Sequence, residues 1–412
     1  MNRKYFMAAV ACAALLQIVF LLIFTGVLFP SDRAREQDRL AKWETLAELE
    51  GEFTRERLLA MAEAGGRWIL RMQVREGENT GRFVYRVDAE DTVISAVFDE
   101  DNFLRQAGTA YALLVLHEAT GDATFQEGAR RAMQYLLSRY RVDDRARDRG
   151  YFEFEGEVKL GGSALPMLSC VHLVARGADS SLPQYIGPVG RFLFFMQKEN
   201  GQFRSVDMYK NSREHKRTKW NSAIYPGEAM LALIRMYAVT RDTAYLRSFD
   251  RAYRYYSAKP DRHGSAKFMP WTTTAMAEAF VLTRDERYRD FAYRLSDDLI
   301  AKEQHLEIDD PVFGAFHESP SINTATYLEG LVDACRIAKA EDDHVRHQRY
   351  RYSIFAGFRF LSTLQLKSGD SSGQDDDLRA GGFMSSPKNA DIRIDNTQHA
   401  SSALAKAAMT MF

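Results

Sequence analysis

The sequence predicts an all-α protein: one N-terminal transmembrane helix followed by an (α/α)6 toroid of six helical hairpins. Three observations lead there. Residues Tyr5 to Phe29 carry no charged side chain. Downstream, charged and aromatic-rich helices alternate with helices of small and apolar residues, six of each kind. Between the two kinds recurs a glycine turn that ends in phenylalanine. Six outer and six inner helices in strict alternation close a ring, and no strand-rich domain is needed.

Composition agrees with a globular chain: 412 residues, 46% hydrophobic and 27% charged. A net charge of −1 gives no overall basic signal, so nucleic acid is not an expected partner. Cys12, Cys170 and Cys335 are too few for a disulfide framework and lack metal-ligand spacing. Cys170 and Cys335 sit in apolar helical runs and read as buried thiols. Neither a metal nor a cofactor is expected.

Three regions follow in order: an anchor at 1–30, a charged juxtamembrane stalk at 31–52 and the toroid at 53–412. At about 1.5 Å per residue, the uncharged run exceeds the ~30 Å thickness of a bilayer core. Its end, Gly26-Val27-Leu28-Phe29-Pro30, is a poor cleavage site, which favours an uncleaved anchor over a long signal peptide. Arg3 and Lys4 favour N-inside insertion, although Arg33, Arg35, Arg39 and Lys42 lie just beyond the span. The globular part is therefore expected outside the cytoplasmic membrane, in the periplasm.

Thr54 caps the first outer helix, whose apolar face runs through Leu58, Leu59, Met61, Ala62, Trp68, Ile69 and Met72. That helix ends Trp68-Ile69-Leu70-Arg71-Met72-Gln73, and Gly81-Arg82-Phe83 follows. Phe192 to Gln197 precedes Gly201-Gln202-Phe203 in the same way, and Phe360 to Gln365 precedes Gly382-Phe383. Gly150-Tyr151-Phe152 and Gly314-Ala315-Phe316 are related turns, while Phe268 holds the corresponding place in the shortest unit. The glycine permits a positive φ and the phenylalanine plugs the turn into the core. Inner helices are expected at 102–118, 161–175, 221–239, 271–282, 323–338 and 396–411. Runs such as Ala107 to Ala112 are small or apolar nearly all round, as a helix buried on every side must be. The other outer helices are expected at 123–140, 182–197, 243–257, 286–301 and 343–365. Thr120-Gly121-Asp122, Thr240-Arg241-Asp242 and Thr283-Arg284-Asp285 each stop an inner helix and cap the next outer one.

The Gln73…Gly81-x-Phe83 and Gln197…Gly201-x-Phe203 pattern, with its small-residue inner helices, resembles the broad α/α-toroid group. That group includes six-hairpin glycosidases, uronate-active lyases and epimerases, and the squalene-cyclase and prenyltransferase toroids. The resemblance spans nearly the whole chain after the anchor, implies the toroid fold, and carries no catalytic residue across. An Asp-x-Asp-Asp of the protonating terpene cyclases is missing from the sequence. So is a Cys/His set like the zinc sites of lanthionine cyclases or prenyltransferases.

In a helical ring the loops leading into the inner helices line one mouth, toward which those helices point their positive dipole ends. Three such loops are long: 82–103, 203–225 and 383–398. The first holds Asp99-Glu100-Asp101-Asn102 ahead of Arg105. Asp101 reads either as a helix cap or as a proton-transfer group whose pKa its neighbours raise. The second runs from Arg204 to Lys219 with six basic residues against Asp207 and Glu214. It is either a solvated loop or a strip that pairs with carboxylates. Trp220 and Tyr209 suit stacking on a sugar ring, and Asn221 and Tyr225 complete the approach to Glu228. Glu228 is a dipole partner or a cavity-facing acid. His317-Glu318 precedes the fifth inner helix as a possible acid/base pair. In the last unit Asp391, Arg393 and Asp395 share one side of an extended segment, with His399 one turn further on. Capping is the plain role of Asp395.

No phosphate loop or His-Glu-x-x-His occurs, which removes NTPases and zincins. The expected function is a membrane-anchored extracytoplasmic enzyme acting on an acidic polysaccharide by hydrolysis, elimination or C5 epimerisation. Asp101, Glu228, Glu318 or His399 would move the proton. Arg105, Lys219, Trp220, Asn221, Tyr225, His317, Arg393 and Asp395 would hold an anionic glycan. The alternative is a non-catalytic polymer-binding or assembly subunit working beside other envelope polysaccharide proteins. A terpene-type cyclase comes third.

Overall fold

The computed structural model describes residue 42 and residues 44–88, 102–208, 222–258, 266–367 and 378–412. The chain divides into two compact units, Met1–Glu52 and Phe53–Phe412. In the first, residues 44–52 are helical. The uncharged run at 5–29 lies outside the described residues, among which no helix is long and apolar enough to cross a membrane.

The second unit is built from α1 (Arg55–Arg71), α2 (Phe103–Thr120), α3 (Ala123–Leu137), α4 (Leu160–Ala175), α5 (Pro183–Met196) and α6 (Tyr225–Thr240), then α7 (Thr243–Ser257), α8 (Met269–Thr283), α9 (Glu286–Glu303), α10 (Asn323–Ala340), α11 (His344–Ser362) and α12 (Ile394–Thr410). Odd-numbered helices are outer and even-numbered helices inner. Each inner helix packs on the inner helices before and after it, and α12 packs on both α1 and α2, so the ring closes. Burial separates the two kinds. In α2 every residue from Gln106 to Leu116 is buried, whereas α7 buries a single stripe of Tyr245, Ser248, Phe249, Ala252 and Tyr256.

The recurrent turn proves to be a stitch between successive outer helices. Gln73, Gln197, Gln304 and Gln365 each donate from Nε2 to the turn glycine's carbonyl, at 3.1–3.2 Å. Each also donates to a carbonyl of the next outer helix, at 2.8–2.9 Å, the acceptors being Gly128, Ser248, Ser353 and Met61. The turn glycines Gly81, Gly201, Gly314 and Gly381 all have φ between +88° and +93°. A Cβ on any of them would lie 1.8–2.2 Å from a carbonyl oxygen of that neighbouring helix, so only glycine fits. In the last unit this role falls to Gly381, one residue before the Gly382 expected from the sequence. Gln304 carries the motif in the fifth unit. The Thr-x-Asp joints form as expected, with Asp122, Asp242 and Asp285 accepting from the backbone N–H two residues on, at 2.8–3.1 Å.

Short strands, not foreseen, fill the turns. They are β1 (Arg86–Val87), β2 (Tyr140–Asp143), β3 (Ala146–Phe152), β4 (Val158–Lys159), β5 (Val206–Met208), β6 (Met384–Ser386) and β7 (Asn389–Arg393). β1-β7-β6, β2-β3 and β4-β5 form three small antiparallel sheets. β7 covers the extended segment expected from Asp391 only as far as Arg393, Ile394 and Asp395 being already helical; its Ile392 is buried and pairs with Val87, tying the last turn to the first.

Candidate active site

At the N-terminal ends of the inner helices the ring encloses a cavity of about 440 Å³ lined by all six of them. From α2 and its cap come Asn102, Arg105 and Gly108; from the β4–α4 junction, Lys159; from α6, Tyr225 and Glu228. Lys267 and Trp271 enter from the fourth unit, Asn323 and Tyr327 from α10, and Arg393, Asp395, Asn396 and His399 from the β7–α12 junction. Converging helix N-termini and four Lys/Arg side chains make this a mouth suited to an anion.

Glu228 stands out by its surroundings. It is 3% exposed, and its Oε2 has no hydrogen-bond partner. Burial pushes its carboxyl up to about 8, so it is protonated at neutral pH. Room for it comes from α4: a Cβ on Gly161 would lie 2.1 Å from Glu228 Oε2. Tyr225, one turn earlier, is raised above the ordinary phenol range by burial and by the Glu228 carboxyl.

Across the cavity, His399 Nδ1 lies 2.6 Å from Glu329 Oε2 of α10. The edge of its ring meets Trp271, with centroids 6.1 Å apart. Burial opposes the imidazolium, but the carboxylates of Glu329 and Asp395 outweigh it and hold the His399 pKa above its ordinary value. Asp395 is itself engaged by Arg105 at 2.9 Å and by Arg393 at 3.0 Å, and Arg105 lies over the Tyr85 ring. Below this level, buried pairs cross the ring: Lys406 with Asp333 at 2.5 Å, and Arg235 with Glu278, whose guanidinium also reaches Tyr111.

The residues expected from sequence divide clearly. Arg105, Tyr225, Glu228, Arg393, Asp395 and His399 line the one cavity. Asp101, Lys219, Trp220 and Asn221 lie outside the described residues. The α2 cap is Asn102, whose side chain accepts from Leu104 N–H, rather than Asp101. Likewise Asp395 is no cap: it sits inside the first turn of α12, where Arg393 holds the N-cap position without a side-chain bond.

His317 and Glu318 are corrected: both are exposed and neither lines the cavity. His317, at φ +78°, starts a turn bound back to Glu303 through its N–H and to His305 through its carbonyl. Helix α10 begins only at Asn323, so the turn stays on the rim. Sequence reasoning missed Glu329, Trp271, Lys159 and Lys267. Glu329 gave no distinct signal, since the same inner helix also carries Asp333, Arg336 and Lys339.

Comparison with known proteins follows the geometry. A family model for the D-glucuronyl C5-epimerase C-terminus matches residues 197–273, from the end of α5 to the start of α8. No curated protein sequence matches the chain. Among solved structures it is similar to an alpha-1,6-mannanase of Salegentibacter sp. in complex with alpha-1,6-mannotriose (11% identity, TM-score 0.60, covering 86% of this chain and 99% of that one). It is also similar to a D-mannose isomerase (12%, 0.60, 87% and 98%). A third likeness is to the unsaturated glucuronyl hydrolase of Streptococcus agalactiae (13%, 0.58, 85% and 92%). This chain therefore has the α/α-toroid fold, and these neighbours on that fold act on sugars.

Proposed function

We propose that this chain is a carbohydrate-active enzyme that moves a proton on a uronate-bearing glycan, with C5 of the uronate as the reacting centre. The observation that carries the reading is Glu228: a buried, neutral carboxyl, its Oε2 without a partner, in the wall of a cavity rimmed by Arg105, Arg393, Lys159 and Lys267. The cations would hold the substrate carboxylate, which also acidifies the C5–H beside it. Glu228 on one side and His399 on the other would serve as proton donor and acceptor. The partial match to a C5-epimerase model and the sugar-acting structural neighbours support the same class.

Hydrolysis fits less well. It needs two opposed carboxyl groups free to act. Here Asp395 is clamped between two guanidiniums and Glu329 is bound to His399, which leaves Glu228 as the unengaged carboxyl among the described lining residues. A membrane tether at 5–29 and an extracytoplasmic site belong to the same proposal and rest on the uncharged N-terminal run. Asp101, Lys219, Trp220 and Asn221 flank described segments of the mouth in sequence and are retained as proposed contacts.

The test incubates the full chain in detergent with uronate-bearing and neutral glycans in deuterated water. Deuterium at C5 of the uronate is the expected result, with or without an unsaturated product. New reducing ends without C5 exchange would replace the reading by hydrolysis. Binding of the acidic glycan without any turnover would make the chain a polymer-binding subunit.

A further inference from the structure

His399 does not stand alone; beneath it two inner helices carry a two-rung ladder of buried polar groups. Lys406 is seven residues along α12 from His399, and Asp333 is four along α10 from Glu329, so each pair shares a helix face. The upper rung is His399 Nδ1 to Glu329 Oε2 at 2.6 Å. On the lower, Lys406 Nζ donates to Asp333 Oδ2 at 2.5 Å, and Thr274 Oγ1 of α8 donates to the same oxygen at 2.8 Å. One bond links the rungs: Lys406 Nζ also donates to the Glu329 carbonyl at 3.2 Å. A residual void of only about 10 Å³ remains beside Lys406, Glu329, Tyr111 and Thr274, room for about one water. The ammonium therefore cannot swing away, and it fixes the turn of α10 that carries Glu329.

We propose that Glu329 and Lys406 are positioning residues that act on the cavity through His399: Lys406 pins the Glu329 turn, Glu329 accepts the Nδ1 proton, and His399 is thereby held to present Nε2 to the substrate. In the ligand-free protein Nε2 faces the Gln398 amide nitrogen at 3.4 Å, a contact that substrate would replace; neutral His399 then offers a lone pair at Nε2, and charged His399 offers a proton there. Nothing enters or leaves except the one proton exchanged at Nε2. The charged and titratable groups around the pair are Glu329 from α10, Asp395 from α12 and Arg105 from α2. Around Lys406 they are Asp333 and Glu329 from α10 and Tyr111 from α2. Burial opposes the charge on both groups, yet the carboxylates around them outweigh it and hold His399 and Lys406 protonated above their ordinary range. The inference rests on the proton-transfer reading for its purpose, but its physical claim stands on the ligand-free protein.

The test is nitrogen NMR of the full chain with labelled histidine, His399 being assigned by His399→Gln. The neutral ring is expected as the Nδ1–H tautomer. Glu329→Gln, which keeps shape and removes the charge, is expected to lower the His399 midpoint by about one pH unit or more. Lys406→Met is made together with Asp333→Asn, so that no buried carboxylate is stranded. It is expected to populate the Nε2–H tautomer, with Lys406→Arg restoring the wild-type spectrum. An Nε2–H tautomer in the wild type overturns the proposal. So does a tautomer and midpoint left unmoved by Glu329→Gln. If the spectra move as expected while no uronate shows C5 exchange, the positioning is upheld and the proton-transfer function falls.

Discussion

Glu228 and Gly161 are a matched pair on adjacent inner helices. The carboxyl occupies the volume that a methyl at 161 would need, so Gly161→Ala must displace the carboxyl or its helix. Overpacking of this kind costs about 1–3 kcal/mol. Gly161→Ala is expected to lose both thermal stability and C5 exchange, whereas Glu228→Gln should lose exchange alone, by about 10²–10⁴-fold. The pH dependence separates the two further. Glu228 titrates near 8 when buried, against 4.5 for the free side chain, so the folded state holds a proton that the unfolded chain has released. Stability therefore falls as pH rises from about 4.5 to about 8, and Glu228→Gln escapes that loss. Melting temperatures measured across that range should favour the variant increasingly toward the alkaline end. A constant difference would mean that Glu228 is charged and paired in the folded state.

At the scale of the element, the stitching glutamines explain why an outer helix, wet on one face, keeps its place. Gln365→Ala removes two hydrogen bonds, to the Met61 and Gly381 carbonyls, an expected cost of about 2 kcal/mol. Gln197→Ala should cost more, because beyond the same two bonds its Oε1 accepts from the Ser248 hydroxyl and the Arg251 guanidinium. Denaturant midpoints of both variants check this; a negligible loss at Gln365 with a full loss at Gln197 would mean that the closing seam bears no load. The helices themselves were legible because their two surface patterns differ so strongly. α7 was bounded from sequence at Thr243–Ser257, and the structure has it there. The third inner helix was read from 221, yet it begins at Tyr225, where the Ser222 hydroxyl accepts the N–H groups of Ile224 and Tyr225. The pairing of Val87 with Ile392 was beyond reach, since β1 is two residues long and its partner lies at the other end of the chain. Site residues next to a lead-in loop were found for the same local reason, as with Arg105, Tyr225 and Arg393. Glu329 and Lys406 needed the ring to bring α10 against α12.

For the whole molecule, the cavity's cations set how it meets a polymer. Affinity for a uronate glycan is expected to fall as salt rises and affinity for a neutral glycan to stay nearly constant, because attraction between exposed charges is screened. Titrations at two ionic strengths decide this, and equal salt dependence for both glycans would remove the charge argument. The tether is a separate expectation: the full chain should stay with membranes through an alkaline wash, and a chain beginning at Ser31 should not. Charge also shapes the interior. Arg235 with Glu278 and Lys406 with Asp333 bury ionic groups where hydrophobic pairs would serve stability as well. Their retention beneath the cavity agrees with a role in holding its polar groups in register.

The closing seam has one more consequence. Phe53, where the ring unit starts, packs on Phe358, and Phe412, where it finishes, packs on Phe355, both on α11 and within one turn of each other. Start and finish are thus neighbours, and covalent order around the circle is interchangeable. A circular permutant that joins 412 to 53 through a short glycine-serine linker and opens between Gly177 and Ser181, an exposed stretch, keeps every stitch described above. It should show the parent's helical circular dichroism and the same C5 exchange, with its chain ends moved to the far arc of the ring.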